Sequence, residues 1–354
     1  MSIPASPRLR GALVAVWIAA VGALGCQNAD PVARGRISAF DTTLEITLIG
    51  VDRERTHEVS DILQADMRQL ESAWHAWEPG PVSRMNALFN AGGEPFAAPP
   101  SVLPLLRLST QLEAQSDGLF NPAIGHLLRA WGFQGRPADC LRPPATDLIQ
   151  QAVAARPSMQ DIKIDGFRLS SKNHWVKLDF RGIQLGYAID QAIARLQDLG
   201  INNASISADG NLRAIGSRGG RPWSVAVHGP AGRGILATLE ILGNEAAFTA
   251  DPDGSSFTWE GETYHDIIDP RSGYPATGTA SVTVLHPSAS TADAAATALF
   301  VAGPKDWHRV AKLMGVRYVM LTDDAGRIHM NPAMQARVKL KALNREVIIS
   351  QPLT

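Results

Sequence analysis

The sequence predicts an α+β fold from two kinds of local pattern and from their order. Residues 37–50 alternate apolar and polar side chains as a half-buried strand does. Residues 56–77 instead place apolar side chains at helical spacing, as in a helix with one face in the core. Strand and helix patterns then recur without a regular strand–helix–strand repeat, which favours a mixed α+β arrangement.

Composition sets the outer limits. The chain has 354 residues, of which 45% are hydrophobic and 19% charged, so it can bury a substantial core. Its formal net charge is −1, and no basic stretch interleaved with aromatic residues is present. A nucleic acid partner is therefore not expected, because phosphate backbones are held by basic surfaces.

The N-terminus is typical of an exported protein. Arg8 and Arg10 precede an uncharged apolar run over residues 11–24. This run is shorter than the roughly 20 residues that a membrane-spanning helix needs, so residues 1–25 are predicted to be a signal peptide. The small residue before Cys26 is similar to the cleavage motif of bacterial lipoproteins, whose cysteine carries a lipid. The alternative is a plain secretory signal followed by an unrelated cysteine.

The lipoprotein interpretation places the chain on the periplasmic side of a bacterial membrane, with a lipid anchor at Cys26. Residues 26–36 then form a polar tether, and residues 37–345 form the folded domain. With Cys26 lipidated, Cys140 has no disulfide partner within the chain. Stability must then come from the core.

Local patterns predict the other elements in order. Glycine, proline and Asp-Gly pairs mark their ends. The predicted elements are a helix over residues 103–116, a loop over 136–147, a strand over 175–180, a glycine-bounded turn over 181–186, a helix over 187–199 ended by Gly200, a hairpin over 202–216, further strands within 221–229, 246–261 and 280–287, and a helix over 291–303.

The segment LDFRGIQLGYAID, residues 178–190, is the first candidate site. A strand that runs through a turn into a helix directs backbone N–H groups at the turn, which suits a phosphate or another anion. Asp179, at the predicted strand end, can hold a ligand hydroxyl or ring nitrogen. Many such units only connect two elements, and that remains the alternative.

The segment TADAAATALF, residues 291–300, is the second candidate. Thr291 is predicted to cap the helix, and Asp293 and Thr297 lie four residues apart, so their side chains share one face. A carboxylate and a hydroxyl on an otherwise small apolar helix are suitable oxygen ligands for Mg²⁺. Alternatively, Asp293 only complements the helix dipole in the first turn.

The segment YHDIIDPRSGYP, residues 264–275, is the third candidate. His265 and Asp266 are titratable groups beside a predicted turn that carries Arg271. A general base near a phosphate requires such a combination. An ordinary strand end followed by a turn explains the same residues.

Together these segments resemble the ApbE family of FAD:protein FMN transferases. The resemblance covers residues 36–335 and is carried, in order, by DGLFNPAIGHLLRAWGF, LDFRGIQLGYAID, ADGNLRAIG, YHDIIDPRSGYPATG and SVTVLHPSASTADAAATALFVAG. It implies an ApbE-like mixed fold with antiparallel sheets and packed helices. It also implies an exported enzyme that uses FAD and Mg²⁺ to transfer FMN to a Thr or Ser hydroxyl of a partner protein, with release of AMP.

The resemblance also implies site residues. The metal positions of the family fall on the carbonyl of Gly182 and on the side chains of Asp293 and Thr297. Some relatives have a further acidic ligand where this chain has Ala296, so the metal here depends more on Asp293 and water. Leu185 stands where the family commonly has lysine or glutamate. The positions that match flavin contacts are Phe40, Trp77, Leu119, Phe120, Asn121, Asp179, Leu185 and Ile268.

The region of the proposed base departs from the family pattern. Asp266 stands where relatives usually have a histidine, and His265 lies one residue earlier. Neighbouring strand residues point to opposite faces, so His265 can replace the missing histidine only if the strand is bulged. Asp266 can act as the base if burial raises its pKa from about 3.9. A second departure is TADPD at residues 249–253, where relatives usually have TSGDY.

These departures leave three functions to compare. The first is FMN transfer, with acceptors that the resemblance places among the subunits of membrane redox complexes, such as sodium-pumping NADH:quinone reductase. The second is an FAD diphosphatase that gives FMN and AMP from the same metal site. The third is a non-catalytic FAD-binding lipoprotein, which the altered base position and Leu185 suggest. The intact set of DGLFNP, Asp293 and Thr297 favours the transferase.

Overall fold

The computed structural model confirms the predicted α+β fold. A long, mostly antiparallel sheet carries helices on one face and a small sheet on the other. The predicted signal peptide, Cys26 and Cys140 lie outside the described residues. The structure describes residues 31–92, 94–134, 141–229, 234–252, 255–341 and 344–353.

Most strands belong to the long sheet, which has nine strands within the described residues, in the order β1-β2-β6-β7-β10-β13-β14-β15-β17. Its pairs are antiparallel except β15 with β17. The other sheets are β16-β9-β8, β3-β5-β4 and the hairpin β11-β12. The strands are β1 Val32–Ala39, β2 Thr42–Ile49, β3 Phe96–Ala97, β4 Ile162–Asp165, β5 Arg168–Ser171, β6 Ala204–Ala208, β7 Asn211–Ile215, β8 Trp223–His228, β9 Ile235–Ile241, β10 Glu245–Ala250, β11 Ser256–Trp259, β12 Glu262–His265, β13 Thr279–His286, β14 Tyr318–Asp323, β15 Ile328–Met330, β16 Val338–Leu340 and β17 Val347–Ile349.

The helices lie between and around these strands. In the part of the chain that the structure describes, none has the length and apolar content needed to span a lipid bilayer. The helices are α1 Arg53–Trp74, α2 Pro81–Gly92, α3 Leu103–Gln115, α4 Gly125–Trp131, α5 Thr146–Ala155, α6 Arg181–Asp198, α7 Ala289–Leu313 and α8 Pro332–Gln335.

The central strands separate two cores by simple alternation. Phe248 and Val284 face the helices and are buried in the main core, whereas their neighbours Ala247 and Leu285 face the small sheet β16-β9-β8 and join a second core. Successive side chains on a strand point to opposite faces, so one strand can serve both cores. Helices α1, α6 and α7 therefore pack on one face of the long sheet.

Several predicted elements are confirmed. The hairpin around Asp209 and Gly210 joins β6 and β7, and the helix predicted over 103–116 corresponds to α3. The helix predicted over 291–303 is the first part of α7, which kinks at Gly303 (φ 72°, ψ 177°) before Pro304 and continues to Leu313. A proline cannot complete the helical hydrogen bond, and the kink accommodates it.

The predicted strand over 175–180 and the predicted turn over 181–186 are wrong. Lys177 makes only an isolated bridge with Ile124. The side chain of Asn86 takes the place of a neighbouring strand for Leu178, since it accepts from the Leu178 N–H at 2.6 Å and donates to its carbonyl at 2.9 Å. The glycines of the predicted turn, Gly182 and Gly186, lie inside α6, where they make room for another helix.

Three boundaries also differ from the prediction. Strand β1 begins at Val32 and pairs with β2, so the last residues of the predicted tether are part of the sheet. Strand β17 extends the fold beyond residue 345 by pairing with β15. The N-cap of α7 is Ser288, whose hydroxyl accepts from Thr291 N–H, so the predicted cap at Thr291 is wrong.

Asp190 of α6 fastens the start of α7. Its carboxylate accepts from the backbone N–H groups of Ala289 and Ser290, both at 2.9 Å, and from the hydroxyls of Ser288 and Ser290. It also pairs with the buried Arg213 at 3.1 Å. A carboxylate at a helix N-terminus satisfies N–H groups that have no partner within the helix and complements the helix dipole. Asp190 thereby fixes the register of α7 against α6.

We predict that Asp190→Asn lowers the free energy of unfolding by about 3 kcal/mol, because the neutral amide leaves Arg213 with an uncompensated buried charge and weakens the cap. Urea unfolding followed by circular dichroism measures the change. Asp198→Asn is the matched control, since Asp198 is exposed on the same helix, and its effect should stay within about 0.5 kcal/mol. Equal losses in the two variants would contradict the role given to Asp190.

Candidate active site

Two glycines let α6 and α7 approach closely. A Cβ atom added at Gly186 would lie 2.5 Å from the Ala289 carbonyl oxygen and 2.9 Å from Asp293 Cβ. A Cβ added at Gly182 would lie 3.1 Å from Thr297 Oγ1. These glycines are four residues apart and face Ala289, Asp293 and Thr297, which are also four apart, so the contact runs along one face of each helix. Only glycine permits this separation.

A cavity opens beside this contact. We call it the main cavity because most of the predicted site residues line it. It has a volume of about 210 Å³ and lies where the start of α6, the middle of α7, the end of β10 and the segment after β12 meet. Apolar and polar side chains both face it, as in most small-molecule sites. Its lining residues are Leu119, Phe120, Asn121, Pro122, Ile124, Leu128, Asp179, Arg181, Gly182, Thr249, Ala250, Asp251, Asp266, Ile267, Ile268, Asp293 and Thr297.

A second cavity of about 140 Å³ adjoins the first, and Asp179 and Arg181 line both. Its walls include the aromatic rings of Phe40, Trp74 and Trp77. Phe40 stacks on Trp74 with 6.0 Å between the ring centroids. Because they share Asp179 and Arg181, the two cavities form one extended site with an aromatic part and an acidic part.

Glu71 holds the aromatic wall of the second cavity in place. Phe40 lies at the β1–β2 turn with a φ of 54°, a conformation that bulky side chains rarely adopt. Its N–H donates to Glu71 Oε1 at 2.6 Å, which stabilises the strained turn and keeps the ring over Trp74.

Asp179 and Arg181 form the network at the junction of the cavities. Asp179 is 5% exposed and accepts from Trp77 Nε1 at 3.0 Å, from Arg181 N–H at 3.0 Å and from Arg181 Nε at 3.1 Å. Arg181 Nη1 donates to the Phe133 carbonyl at 2.6 Å and lies 3.5 Å from Asp266 Oδ2. The first turn of α6 begins at this network, since Asp179 satisfies its leading N–H group.

Asp266 and His265 point in different directions. Asp266 lines the main cavity, and burial raises its pKa, an effect that the charge of Arg181 partly opposes. His265 is not among the lining residues: its Nε2 lies 3.0 Å from the Ala276 carbonyl, to which it donates, and its ring packs against Phe300 at 5.5 Å. Strand β12 ends at His265, so Ile267 and Ile268 lie after the strand.

Asp293, Thr297 and Gly182 form an oxygen-rich corner of the main cavity. The Gly186 N–H, which in a regular helix bonds the Gly182 carbonyl, donates to Asp293 Oδ2 at 3.0 Å. Asp293 therefore competes with the Gly182 carbonyl for the Gly186 N–H group. Burial raises the pKa of Asp293 to about 7, with the Gly186 hydrogen bond acting in the opposite direction.

This corner fits a hard divalent cation. Carboxylate, hydroxyl and carbonyl oxygens are the donor types that Mg²⁺ takes, and Mg²⁺ keeps several waters rather than requiring a full protein cage. A carboxylate that burial pushes toward protonation is stabilised in its charged form by a cation. The described residues contain no cluster of three or more His, Cys, Asp or Glu side chains that could bind a metal. A cation here would therefore rely on Asp293 with neutral oxygens and water.

The structure brings most of the predicted site residues together. Leu185 is an exception, because it packs against the main core and lines neither cavity. Arg271 also lies outside both cavities and pairs with Asp269 at 2.8 Å on the turn. The predicted residues that line a cavity are Phe40, Trp77, Leu119, Phe120, Asn121, Asp179, Gly182, Asp266, Ile268, Asp293 and Thr297.

Sequence reasoning missed Arg181, which lines both cavities together with Asp179. Its position two residues after Asp179 was available as a signal, but it falls in the segment that the sequence predicted as a turn. Asp190 and Glu71 were also missed, since their partners lie at separations of 98–100 and 31 residues.

A site with an aromatic part and an acidic, oxygen-rich part is typical of an enzyme whose ligand carries both aromatic and charged groups. Comparison with known proteins identifies the group. The profile of the ApbE family matches residues 40–320. The chain therefore belongs to the ApbE family.

Individual relatives agree with this assignment. The chain is 37% identical over 301 residues to an FAD:protein FMN transferase of Rhodobacter capsulatus, a match that covers 85% of this chain and 57% of that protein. It thus spans a little over half of that relative. An FAD:protein FMN transferase of Vibrio cholerae is 28% identical, with 87% of this chain and 94% of the relative covered. The crystal structure of an ApbE protein from Thermotoga maritima superimposes with a TM-score of 0.78 at 27% identity, covering 87% of this chain and 99% of that one.

Asp293 should make the metal-free protein less stable as the pH rises. Its pKa in the folded state, about 7, exceeds the ordinary value of 3.8. The folded state therefore binds the proton more tightly, and the stability it contributes is present below about pH 4 and lost as the pH rises through about 7. Between pH 5 and pH 8 the free energy of unfolding of the wild type should fall by about 2.6 kcal/mol more than that of Asp293→Asn.

Urea unfolding in the presence of a chelator, at several pH values, measures this difference. Asp198→Asn, an exposed change, should follow the wild-type curve. Parallel curves for the wild type and Asp293→Asn would contradict the assigned environment of Asp293.

Gly186→Ala should separate α6 from α7. The new methyl group meets backbone at Ala289, which cannot rotate away, and the overpacking should cost about 1–3 kcal/mol. Gly182→Ala should cost less, because its nearest contact is the Thr297 side chain at 3.1 Å. Gln191→Ala, on the exposed face of α6, is the control. A larger effect of Gly182→Ala than of Gly186→Ala would contradict the packing described.

Proposed function

We propose that this protein transfers FMN from FAD to a Thr or Ser hydroxyl of a partner protein, with Mg²⁺, and releases AMP. The observation that carries the proposal is the meeting of the aromatic cavity, the oxygen corner at Asp293 and the carboxyl group of Asp266 in one extended site. FAD is itself elongated, with an aromatic ring system at each end and a diphosphate between them. The names of the two relatives from Rhodobacter capsulatus and Vibrio cholerae support the same activity.

The two cavities suit the two kinds of group in FAD. Phe40 and Trp77 offer aromatic surface for stacking in the second cavity, and Trp74 is buried behind Phe40. In the main cavity Leu119, Phe120 and Ile268 provide an apolar wall beside the acidic corner. This wall excludes water from the reacting phosphorus, which strengthens electrostatic interactions there.

Mg²⁺ would be held by Asp293, Thr297 and the carbonyl of Gly182. When bound, it neutralises charge on the diphosphate and thereby favours departure of AMP. The contribution of the chain is to keep these three oxygen groups in fixed positions through the contact between α6 and α7. Asp190 contributes by holding α7 in register.

Asp266 is the proposed base. It faces the cavity, and its raised pKa makes the carboxylate a better proton acceptor than an exposed aspartate. The acceptor oxygen forms a bond to the phosphorus of the FMN part, the bond from that phosphorus to the bridging oxygen breaks, and AMP leaves with the electron pair. The hydroxyl proton passes to Asp266. His265, whose ring bonds to Ala276, serves as a support of the wall.

The cellular setting belongs to the proposal as well. Export through residues 1–25 and a lipid at Cys26 would place the domain on the periplasmic side of a bacterial membrane. Flavin-acceptor subunits of membrane redox complexes are suitable partners there, because anchoring on the same membrane raises the effective concentration of the two proteins.

Incubation of the purified chain with FAD, Mg²⁺ and an acceptor domain that exposes a Thr or Ser tests the activity. In-gel flavin fluorescence on the acceptor together with release of AMP is the expected result. AMP without labelled acceptor would indicate FAD hydrolysis, and tight FAD binding with neither product would exclude both reactions. Asp293→Asn should abolish labelling and also remove the increase in thermal stability that Mg²⁺ gives the wild type.

The roles of Asp266 and His265 are separable by paired variants. Asp266→Asn keeps the size of the side chain but removes the base, so the rate of flavin transfer should fall by about 10²-fold or more at unchanged FAD affinity. His265→Gln should retain most activity, since its ring faces Ala276 and Phe300. A larger loss in His265→Gln than in Asp266→Asn would overturn the choice of base.

A further inference from the structure

The charges that line the main cavity are unbalanced. Asp179, Asp266 and Asp293 contribute carboxyl groups, whereas Arg181 is the one cationic side chain among the lining residues that the structure describes. A diphosphate is itself anionic and is repelled by carboxylates. It can enter such a cavity only if cations compensate its charge. One divalent metal at the Asp293 corner leaves part of this charge to be compensated by the protein.

Arg181 lies where the two cavities join, since it lines both. In an elongated ligand with an aromatic group at each end, the diphosphate is the middle part. The junction is thus the place where the diphosphate of a bound FAD is expected, and the guanidinium is the cationic group found there.

The guanidinium of Arg181 has N–H groups without an acceptor among the described residues. Of its five N–H donors, the hydrogen bonds within the described residues engage Nε with Asp179 and Nη1 with the Phe133 carbonyl. Nη2 lies 3.0 Å from Asp179 Oδ2 but makes no hydrogen bond with any described residue. The contact of Nη1 with Asp266 is 3.5 Å long, which is beyond a charge-assisted hydrogen bond. Asp179 and Phe133 thus hold the side chain through Nε and Nη1, whereas Nη2, which is buried beside Asp179, has no hydrogen-bond acceptor among the described residues.

We propose that Arg181 binds the diphosphate of FAD and supplies the protein's own counter-charge for FMN transfer. This inference rests on the proposed function. Arg181 donates to non-bridging oxygens, and no bond to the guanidinium forms or breaks during the reaction. Asp179 orients the fork by accepting from its N–H and Nε. Arg181 therefore has the role in phosphate recognition that the sequence assigned to Arg271.

The binding of a diphosphate to Arg181 has a consequence for Asp266. In the structure the positive charge of Arg181 favours the ionised form of Asp266. Phosphate oxygens that draw the guanidinium towards them compete with this loose 3.5 Å contact. Asp266 is then released to accept a hydrogen bond from the acceptor hydroxyl. Substrate binding and positioning of the base are thus linked through one side chain.

Ligand binding to Arg181→Gln and Arg181→Lys tests the proposal without relying on turnover. The ligands are FAD and riboflavin, which share the flavin ring, whereas only FAD carries the diphosphate and the adenosine; binding is followed by flavin fluorescence with saturating Mg²⁺. For Arg181→Gln we expect a loss of about ten- to hundredfold in FAD affinity, the range for one charge-assisted hydrogen bond, with riboflavin affinity unchanged. Arg181→Lys should recover part of the FAD affinity because it restores the charge.

The controls separate recognition from structural support. Arg36→Gln removes an exposed arginine that pairs with Glu45 far from the site, and it should bind both ligands as the wild type does. Equal losses for FAD and riboflavin in Arg181→Gln, or no recovery in Arg181→Lys, would mean that Arg181 only supports the cavity wall and would overturn the proposal. Unchanged FAD affinity in Arg181→Gln would also overturn it. Failure of the wild type to bind FAD would instead refute the proposed function.

Discussion

The close contact between α6 and α7 is the constraint on which the site depends. Gly182 and Gly186 permit it, and Asp190 fixes it by holding the N-terminus of α7. The same contact sets Asp293 and Thr297 beside the start of α6, because they lie on the helix face that meets the glycines. Moving α7 outward by the width of one methyl group would separate these oxygen atoms, and the corner that suits a cation would be lost.

The rest of the site is arranged around this contact. The network of Asp179 and Arg181 starts α6 and joins the two cavities, so the element that positions the metal corner also positions the counter-charge for a phosphate. Asp266 lies in the segment after β12. Burial raises its pKa, and the positive charge of Arg181 partly opposes this rise. Stability and chemistry therefore share the same residues, as is common where buried charges lie in a cleft.

Local pattern predicted much of the fold. The alternation of residues 37–50 predicted a strand where the structure has the end of β1 and the whole of β2, so the turn between them was missed, and Asp209-Gly210 identified the turn between β6 and β7. The prediction failed over residues 175–186, where a distant side chain, Asn86, replaces a strand neighbour and where glycines serve helix packing instead of a turn. Site residues within recognisable segments were placed together. Arg181 was not found because the sequence predicted its segment as a turn, and Asp190 was not found because its partners lie 99 and 100 residues away.

The location of the metal ion is the most direct test of whether the α6–α7 contact forms the metal site. Crystals of the protein grown with FAD and Mn²⁺, which takes the same oxygen ligands as Mg²⁺, allow the ion to be located by anomalous scattering. We expect one ion that is bound directly, within about 2.5 Å, by Asp293, Thr297 Oγ1 and the Gly182 carbonyl. The diphosphate of FAD should lie beside this ion. An ion bound elsewhere, with these three groups bound to no metal, would contradict the central role of the α6–α7 contact.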